Sequence, residues 1–342
     1  MKLLSYTAMG ERPRARRLGV LINNNGTGDT IGDVRAGYAR MLAESGDTQA
    51  EDVAQLRIGP ESTALLTAGP AAMDAARAGA AYLEKQAAHL DARGLNDEPL
   101  FTPLADAVLF APLNPSKVIA AGRNYRAHHA EMSDSPQPFA LPTTWFKGSS
   151  AIVGPHDDIV KPAACKMMDY ETEMAFVIGT RCKNVPAEHA MDMVAGYTIA
   201  NDVTARDVGK VERLEGNRLL GKSFDGFCPM GPCFVTADEI TDPNNLAIRT
   251  RVNGDIRQDA NTEEMIWKIP QIISYISQIE LLPGDVVLTG SPAGVASGKD
   301  GGDDKLLKPG DILESEVIGI GTMRNHIIED PLPPSWQWKH NT

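Results

Sequence analysis

The sequence predicts an α+β fold that is rich in β-strands, and two features carry this prediction. Short runs of β-branched and aromatic residues recur beyond residue 112, separated by Gly, Pro and Asn-Gly breaks. Helical patterns are few in this part of the chain, so strands and helices do not alternate as in a doubly wound α/β protein. We therefore expect a β-rich main domain over residues 113–342 and a small N-terminal α/β accessory domain over residues 1–112.

The N-terminal region predicts a strand followed by helices. Residues 16–24 (RRLGVLINN) are strand-like, whereas residues 34–45 and 69–94 are rich in alanine and have the period of a helix. Four prolines between residues 95 and 117 indicate a linker into the second domain.

The second region predicts seven strand segments and three helical ones. The predicted strands lie within residues 151–162, 173–179, 194–203, 233–240, 247–258, 285–292 and 310–328. The predicted helices lie within residues 126–133, 186–194 and 263–280.

Composition excludes several classes of protein. The net charge of −12 over 342 residues argues against sequence-independent nucleic-acid binding and against a polybasic membrane anchor. We find no apolar run of about 18 residues for a transmembrane helix, and Glu11 and Pro13 interrupt the start too early for a signal peptide. Four cysteines without a C-x-x-C pair indicate reduced thiols. We expect a soluble, acidic, cytoplasmic protein.

Two glutamates stand in an otherwise apolar strand, MDYETEMAFVIG. Alternate side chains of a strand share a face, so Glu171 and Glu173 project together. Two neighbouring carboxylates require either a proton or a cation between them. Asp202 ends another strand-like run, and three carboxylates suit Mg²⁺ or Mn²⁺ better than zinc. The alternative is a solvated strand edge with both glutamates paired to lysine or arginine, and spacing alone leaves it open.

Three further segments carry candidate chemistry. His128 and Glu131 are neighbours on a helical turn, where the carboxylate would fix the tautomer of a general base. Lys222, in LLGKSFDGF, could stabilise an oxyanion. Ser291 lies in a Gly- and Pro-rich turn whose amides could hold an anion. The alternatives are a surface helix with a modest His–Glu contact and an ordinary surface lysine.

These segments, in this order, resemble the fumarylacetoacetate hydrolase family. The resemblance covers roughly residues 115–328 and rests on AAGRNYRAHHAEM, MDYETEMAFVIG, GYTIANDVTARD, GKSFDGFCPMGP and LLPGDVVLTGSPAGV. It implies a roll of mixed β-sheets as the catalytic domain, with a metal ion in its mouth, and a homodimer.

The resemblance also implies roles for individual residues. The family's metal-holding carboxylates match Glu171, Glu173 and Asp202, for one Mg²⁺ or Mn²⁺ ion per subunit. Its histidine–glutamate pair, which sits on a mobile segment, matches His128 and Glu131, and its substrate-contacting lysine matches Lys222. The implied substrate-binding residues are Arg123, Asn124, Tyr125 and Ser291.

Two positions depart from the family pattern. Ser291 stands where the family usually has threonine, which keeps a hydroxyl group, and the second departure is the clearer one. Many members have glutamine two residues after the ARD motif, where this chain has Gly209. Since that glutamine helps shape the pocket in some members, the substrate cannot be transferred from any one of them. We expect substrate specificity to depend on residues 135–150 and on the surroundings of Gly209.

The resemblance implies metal-dependent hydrolysis of a C–C bond in a 2,4-dioxo acid of the acylpyruvate or fumarylpyruvate type, as in the catabolism of aromatic compounds. The metal would bind the 2-oxo acid end, a water activated by His128 would attack the 4-carbonyl, and the metal and Lys222 would stabilise the enolate. Alternatives are decarboxylation or tautomerisation of an oxaloacetate-like β-keto acid, and dehydration or hydrolysis of a 2-oxo sugar acid. A non-catalytic binding protein on the same fold is a further alternative.

Overall fold

A computed structural model describes residues 1–11, 15–24, 28–132 and 140–331. Its strands are β1 Lys2–Ala8, β2 Arg17–Asn24, β3 Gly28–Asp33, β4 Phe101–Pro103, β5 Ala107–Phe110, β6 Val118–Gly122, β7 Thr143–Lys147, β8 Ile152–Val153, β9 Ile159–Lys161, β10 Met168–Asp169, β11 Thr172–Ile178, β12 Val194–Asn201, β13 Thr204–Ala205, β14 Cys228–Thr236, β15 Ala247–Val252, β16 Asp255–Asn261, β17 Val286–Leu288, β18 Ile312–Val317 and β19 Gly321–Glu329. Its helices are α1 Val34–Glu44, α2 Ala50–Arg57, α3 Ser62–Ala68, α4 Pro70–Gln86, α5 Arg126–Met132, α6 Arg206–Leu214, α7 Leu220–Ser223 and α8 Ile269–Ile276.

The strands form two large mixed sheets and one short pair. The first sheet has the order β4-β3-β2-β1-β14-β12-β11-β17-β6-β7, with β5 paired to β1 and β8 paired to β14. The second sheet has the order β16-β15-β18-β19-β9, and β10 pairs with β13. Most neighbours are antiparallel, but β6 and β17, β8 and β14, and β9 and β19 are parallel. This architecture confirms the predicted β-rich α+β class.

The central strand β11 is covered on both faces. Every residue of β11 is buried, and successive residues contribute to different hydrophobic clusters. Ala175 and Val177 belong to one cluster, whereas Met174 and Phe176 belong to the other. Since neighbouring side chains of a strand point to opposite faces, the first sheet has an apolar core on each side. Glu173 therefore projects from a strand that solvent does not reach along its length.

The second sheet lies against the first near the start of β11. Strands β15 and β18 contact β11, and alternate residues of both strands are buried, as expected for strands with one covered face. The Thr172 hydroxyl donates to Ser315 Oγ at 3.0 Å and accepts a hydrogen bond from Thr250 at 2.6 Å. These contacts fix the start of β11, where the two glutamates lie.

The N-terminal helices pack against one another and against strands β1, β2 and β3 of the first sheet. Asp33 caps α1 by accepting the Ala36 N–H at 3.0 Å. Helices α1 and α4 approach at Gly79, where a Cβ atom would lie 2.6 Å from the Val34 carbonyl oxygen. Strand β1 pairs with β14, so the sheet continues from the N-terminal region into the rest of the chain. The predicted boundary at residue 112 stays a prediction.

Several local expectations differ from the structure. The proline-rich segment 95–117 is not a bare linker, because it supplies β4, which pairs with β3, and β5, which pairs with β1. Residues 187–193 form a 3₁₀ rather than an α-helix, and in segment 263–280 only α8 is α-helical. Helix α6 was not predicted. It is only nine residues long, and two of its three apolar side chains, Val211 and Leu214, stay exposed although they are spaced as on one helix face. No helix in the described part of the chain has the length and hydrophobicity needed to span a membrane.

Candidate active site

Pairing of β11 with β12 assembles a cluster of three carboxylates. The two strands run antiparallel with Thr172 opposite Asn201, so the residues just outside this pair, Glu171 and Asp202, face each other. The Asp202 N–H donates to the Glu171 carbonyl oxygen at 2.8 Å. Carboxylate oxygens of Glu171, Glu173 and Asp202 all lie within 4.8 Å of one another, and all three residues are buried. The three acids expected from the sequence are therefore brought together.

Three cationic side chains surround this cluster. Lys222 Nζ lies between two carboxylates, 2.5 Å from Glu171 Oε2 and 2.6 Å from Asp202 Oδ2. Arg206, at the start of α6, binds Glu171 Oε1 at 2.6 Å and Asp169 Oδ2 at 2.8 Å. Lys147, at the end of β7, binds Asp202 Oδ1 at 2.5 Å and also donates to the Lys222 carbonyl oxygen.

The charges of the cluster do not balance. Three cations face four buried carboxylates, and the carboxylate without a salt bridge among the described residues is Glu173, whose Oε2 accepts the Gly290 N–H at 2.5 Å. Burial and the charges of Asp202 and Glu171 raise the pKa of Glu173 well above its usual range. Burial alone would also raise the pKa of Glu171, but Arg206 and Lys222 hold it below its usual value.

The carboxylate cluster fits a divalent metal ion. Its donors are all oxygens, the ligand type that Mg²⁺ and Mn²⁺ prefer, with neither the nitrogen nor the sulfur typical of zinc sites. A cation held by Glu171, Glu173 and Asp202 would also supply the positive charge that Glu173 lacks. The alternative of a solvated strand edge with both glutamates paired is correct only in part. These carboxylates are almost fully buried, but Glu171 is paired with Arg206 and Lys222, whereas Glu173 has no salt bridge among the described residues.

The histidine–glutamate pair forms on α5 as its spacing predicts. His128 Nδ1 lies 3.0 Å from Glu131 Oε2, and both side chains are largely buried. Glu131 is held in turn by the Gly294 N–H, at 3.1 Å from Oε1. An anionic Glu131 accepts the Nδ1–H, which leaves Nε2 as the nitrogen that can take a proton. The arrangement suits a general base and is not a surface contact.

A cleft of about 160 Å³ opens over the carboxylate cluster. It is lined by both glutamates of the cluster, by His128 and by Lys222, so the predicted acid, base and lysine share one cavity. Two of the expected substrate-binding residues also line it. They are Arg123, whose backbone has a left-handed φ of 53°, and Ser291.

The other two expected substrate-binding residues lie behind the cleft wall. The Asn124 side chain donates to the carbonyl oxygens of Trp267 and Thr289 at 2.9 and 2.7 Å, and accepts the Trp267 N–H at 2.7 Å. Tyr125 is fully buried, and burial together with the Glu173 charge raises its pKa. These positions suit a scaffold for the cleft, because the Asn124 amide is occupied by backbone groups.

Sequence reasoning missed several functional candidates. Along β7, Phe146 is exposed, whereas its neighbours Trp145 and Lys147 point to the opposite, covered face. This alternation was the signal in the sequence that could have identified them. Arg206 belongs to the ARD motif, but its two ion pairs join residues 35 and 37 positions away. Arg213 and Arg218 also line the cleft. Residues 135–139 of the expected specificity segment lie outside the described residues, whereas Thr143, Trp145 and Gly209 line the cleft.

Known proteins share this arrangement of fold and sequence. The family described as "Fumarylacetoacetate (FAA) hydrolase C-terminal" matches residues 117–328. A mitochondrial oxaloacetate tautomerase of Xenopus laevis is 45% identical over 64% of this chain and 68% of its own length. The crystal structure of 5-carboxymethyl-2-hydroxymuconate delta-isomerase from Mycobacterium smegmatis is 30% identical, with a TM-score of 0.66 over 96% of this chain and all of that chain. Maleylpyruvate hydrolase from Sphingobium sp. SYK-6, in complex with manganese (II) ion and pyruvate, is 27% identical, with a TM-score of 0.66 over 96% of this chain and 99% of that chain.

Proposed function

The chain belongs to the fumarylacetoacetate hydrolase family, and from this premise we propose that it is a divalent-metal-dependent enzyme that hydrolyses a C–C bond of a 2,4-dioxo acid. The observation that carries the proposal is that one cleft is lined both by His128, which contacts Glu131, and by glutamates of the carboxylate cluster. A base next to a site for a 2-oxo acid is placed to activate the water that this hydrolysis consumes.

Glu171, Glu173 and Asp202 would hold the ion, Mg²⁺ or Mn²⁺. When bound, such an ion supplies Lewis-acid polarisation of the 2-oxo acid end of the substrate. The Sphingobium hydrolase supports this assignment, because its structure contains both a manganese ion and pyruvate, which is a 2-oxo acid. Arg123 and Ser291, on the cleft wall, would contact the substrate, whereas Asn124 and Tyr125 would hold that wall in place.

The protein groups account for each proton and charge of the hydrolysis. His128 Nε2 takes a proton from water, and the oxygen of that water attacks the 4-carbonyl carbon. The C3–C4 bond then breaks, which releases the acyl group as a carboxylic acid and leaves its electron pair on the pyruvate fragment as an enolate. The Lys222 ammonium, already within hydrogen-bonding distance of the cluster, lies beside this developing charge. Return of the proton from His128 to C3 completes pyruvate.

Tautomerisation of oxaloacetate is a second candidate, and sequence identity favours it. The Xenopus oxaloacetate tautomerase is 45% identical to this chain, whereas the maleylpyruvate hydrolase is 27% identical. The same residues serve this reaction. His128 removes a proton from C3 and then gives it to the enolate oxygen, which restores the base, and neither a water nucleophile nor a broken C–C bond is involved. Decarboxylation of oxaloacetate would form a related enolate but needs no base at C3.

Parallel assays with Mg²⁺ or Mn²⁺ separate these reactions. Acetylpyruvate tests hydrolysis through loss of diketone absorbance and formation of pyruvate, and oxaloacetate tests keto–enol exchange and pyruvate formation. The variants are His128→Asn, which keeps a donor towards Glu131 but removes the base, and Glu171→Gln, which removes one charge from the ion site. Hydrolysis lost in both variants supports the first candidate. Exchange of oxaloacetate without cleavage of acetylpyruvate or of fumarylpyruvate, which carries two carboxylates, replaces it with the second. Turnover by His128→Asn at the wild-type rate would refute both roles of the base.

A homodimer and a cytoplasmic location are also part of the proposal, and they follow only from the family resemblance and from the composition. Sedimentation of the purified protein tests the first, and fractionation of cells tests the second.

A further inference from the structure

One wall of the cleft carries two arginines that the reaction described above does not use. Arg213, near the end of α6, and Arg218, in the loop before α7, line the same cavity as Glu171 and His128. The Arg218 guanidinium lies 4.7 Å from the ring centroid of Trp145, a cation–π distance. Trp145 itself is held closely, because a Cβ atom at Gly122 would lie 2.4 Å from its ring. Arg218 is therefore placed against a rigid aromatic surface.

Arg213 occupies space that a long side chain at position 209 would reach, and residue 209 is glycine. A Cβ atom at Gly209 would lie 3.5 Å from Arg213 Nη1, so a methyl group fits but the longer side chain of glutamine would compete with the guanidinium. The clearest departure of the chain from the family pattern thus admits an arginine to the cleft. Arginine therefore brings a permanent positive charge to a place where the glutamine of other members has a neutral amide.

These arginines have no carboxylate partner in the part of the chain that the structure describes. Glu212, which precedes Arg213 directly, accepts backbone N–H groups instead, from Leu220 at 2.6 Å and from Gly221 at 2.8 Å. Burial and the like charges of Arg206, Arg218 and Arg123 lower the pKa of Arg213. Burial and Arg123 likewise lower the pKa of Arg218. The charges of Asp202 and Glu171 act in the opposite direction at Arg218, as does that of Glu212 at Arg213. These acids offset part of the repulsion among the cations, and an anion bound between the two arginines would reduce it further.

We propose that Arg213 and Arg218 form a second anion subsite, which binds the distal carboxylate of the substrate. This inference rests on the proposed function, in which the 2-oxo acid end occupies the carboxylate cluster. It adds a substrate class: the enzyme selects 2-oxo acids that carry two carboxylates over those that carry one. Guanidinium groups suit this role because their N–H donors match a carboxylate in a planar fork.

A matched pair of unreactive ligands tests the subsite by isothermal titration calorimetry on the full chain with saturating Mn²⁺. The ligands are 2-oxoglutarate and 2-oxopentanoate, which share a five-carbon chain and a 2-oxo acid end and differ only in a terminal carboxylate against a methyl group. The variants are Arg213→Gln, Arg218→Gln and the double substitution. The control is Lys210→Gln, which removes one charge from an exposed residue of α6 that does not line the cleft.

We expect the wild-type protein to bind 2-oxoglutarate at least about tenfold more tightly than 2-oxopentanoate, the effect of one charge-assisted hydrogen bond. The double variant should lose this preference while it keeps its affinity for 2-oxopentanoate, which also shows that its site is intact. Lys210→Gln should keep the preference.

Three results would overturn the inference. Equal binding of both ligands by the wild-type protein, still dependent on Mn²⁺, would refute the subsite and leave the proposed function standing. A loss of preference in Lys210→Gln as large as in the arginine variants would mean that the overall electrostatic potential around the cleft, and not the two arginines, causes the preference for 2-oxoglutarate. Binding of neither ligand would refute the proposed function and this inference together.

Discussion

We expect Gly221→Ala to displace Lys222 and to remove most of the catalytic activity. Helices α6 and α7 touch through backbone atoms at this position. A Cβ atom on residue 221 would lie 2.7 Å from Gly209 Cα, 2.8 Å from Gly209 N and 3.1 Å from the Ala205 carbonyl oxygen. None of these atoms can rotate away as the end of a flexible side chain can, so the two helices must separate. Reaching an ordinary contact of 3.4 Å requires a shift of about 0.7 Å.

The size of the effect follows from the neighbour of this glycine. Lys222 Nζ is held at 2.5 and 2.6 Å by Glu171 and Asp202, and a shift of α7 by most of an ångström disrupts both contacts. Misplacement by 1 Å costs roughly 100-fold in rate, so we expect kcat/KM to fall about 10- to 100-fold. Overpacking should also destabilise the fold by about 1–3 kcal/mol.

Gly209→Ala is the matched control across the same contact. Its Cβ atom would meet Arg213 Nη1 at 3.5 Å and Gly221 Cα at 3.9 Å, which are ordinary distances. Because residue 209 lies inside α6, alanine should favour the helix by up to about 1 kcal/mol. Steady-state kinetics and thermal melting of both variants check the pair. Wild-type activity and melting temperature in Gly221→Ala would refute the close approach of α6 and α7 on which this reasoning depends.

Three further predictions concern the metal, the cleft wall and the thiols. Mn²⁺ should stabilise the wild-type protein in thermal melts, by about 2.7 kcal/mol at 100 times its dissociation constant, and should not stabilise Glu173→Gln. Asn124→Ala should lower the melting temperature, at roughly 1–3 kcal/mol for each buried backbone group left unpaired, with little change in KM. Burial raises the pKa of Cys228 to about 12, so this thiol should resist alkylation at pH 8 until the protein is denatured.

Each of these predictions has a control and an opposite result. Without Mn²⁺, Glu173→Gln should melt no lower than the wild-type protein, since it removes a buried carboxylate that lacks a cation; stabilisation of this variant by Mn²⁺ equal to that of the wild type would exclude the proposed ion site. For Asn124→Ala, a large rise in KM without a loss of stability would restore direct substrate contact. All four cysteines are buried and free, so rapid native labelling of any of them would contradict the structure.

The sequence determined the components of the site that depend on local geometry. The two-residue spacing of Glu171 and Glu173 places both carboxylates on one face of a strand, and the structure confirms that they share one cluster. The three-residue spacing of His128 and Glu131 likewise produces a contact on a helix. Runs of β-branched and aromatic residues were enough to predict the β-rich class, because the preference of these residues for strands can be read from each segment alone.

Only the tertiary structure decided which separate segments meet. Asp202 joins Glu171 because β12 pairs with β11 in one register, and Lys147 reaches Asp202 across 55 residues of sequence. Arg213 and Arg218 reach the cleft because α6, a short helix with an exposed apolar side, packs against α7. Local spacing repeats every two or three to four residues and fixes the neighbours of a side chain within its own element. Contacts between elements depend on strand register and on helix packing. Both are set by how the apolar faces of all the elements are buried against one another.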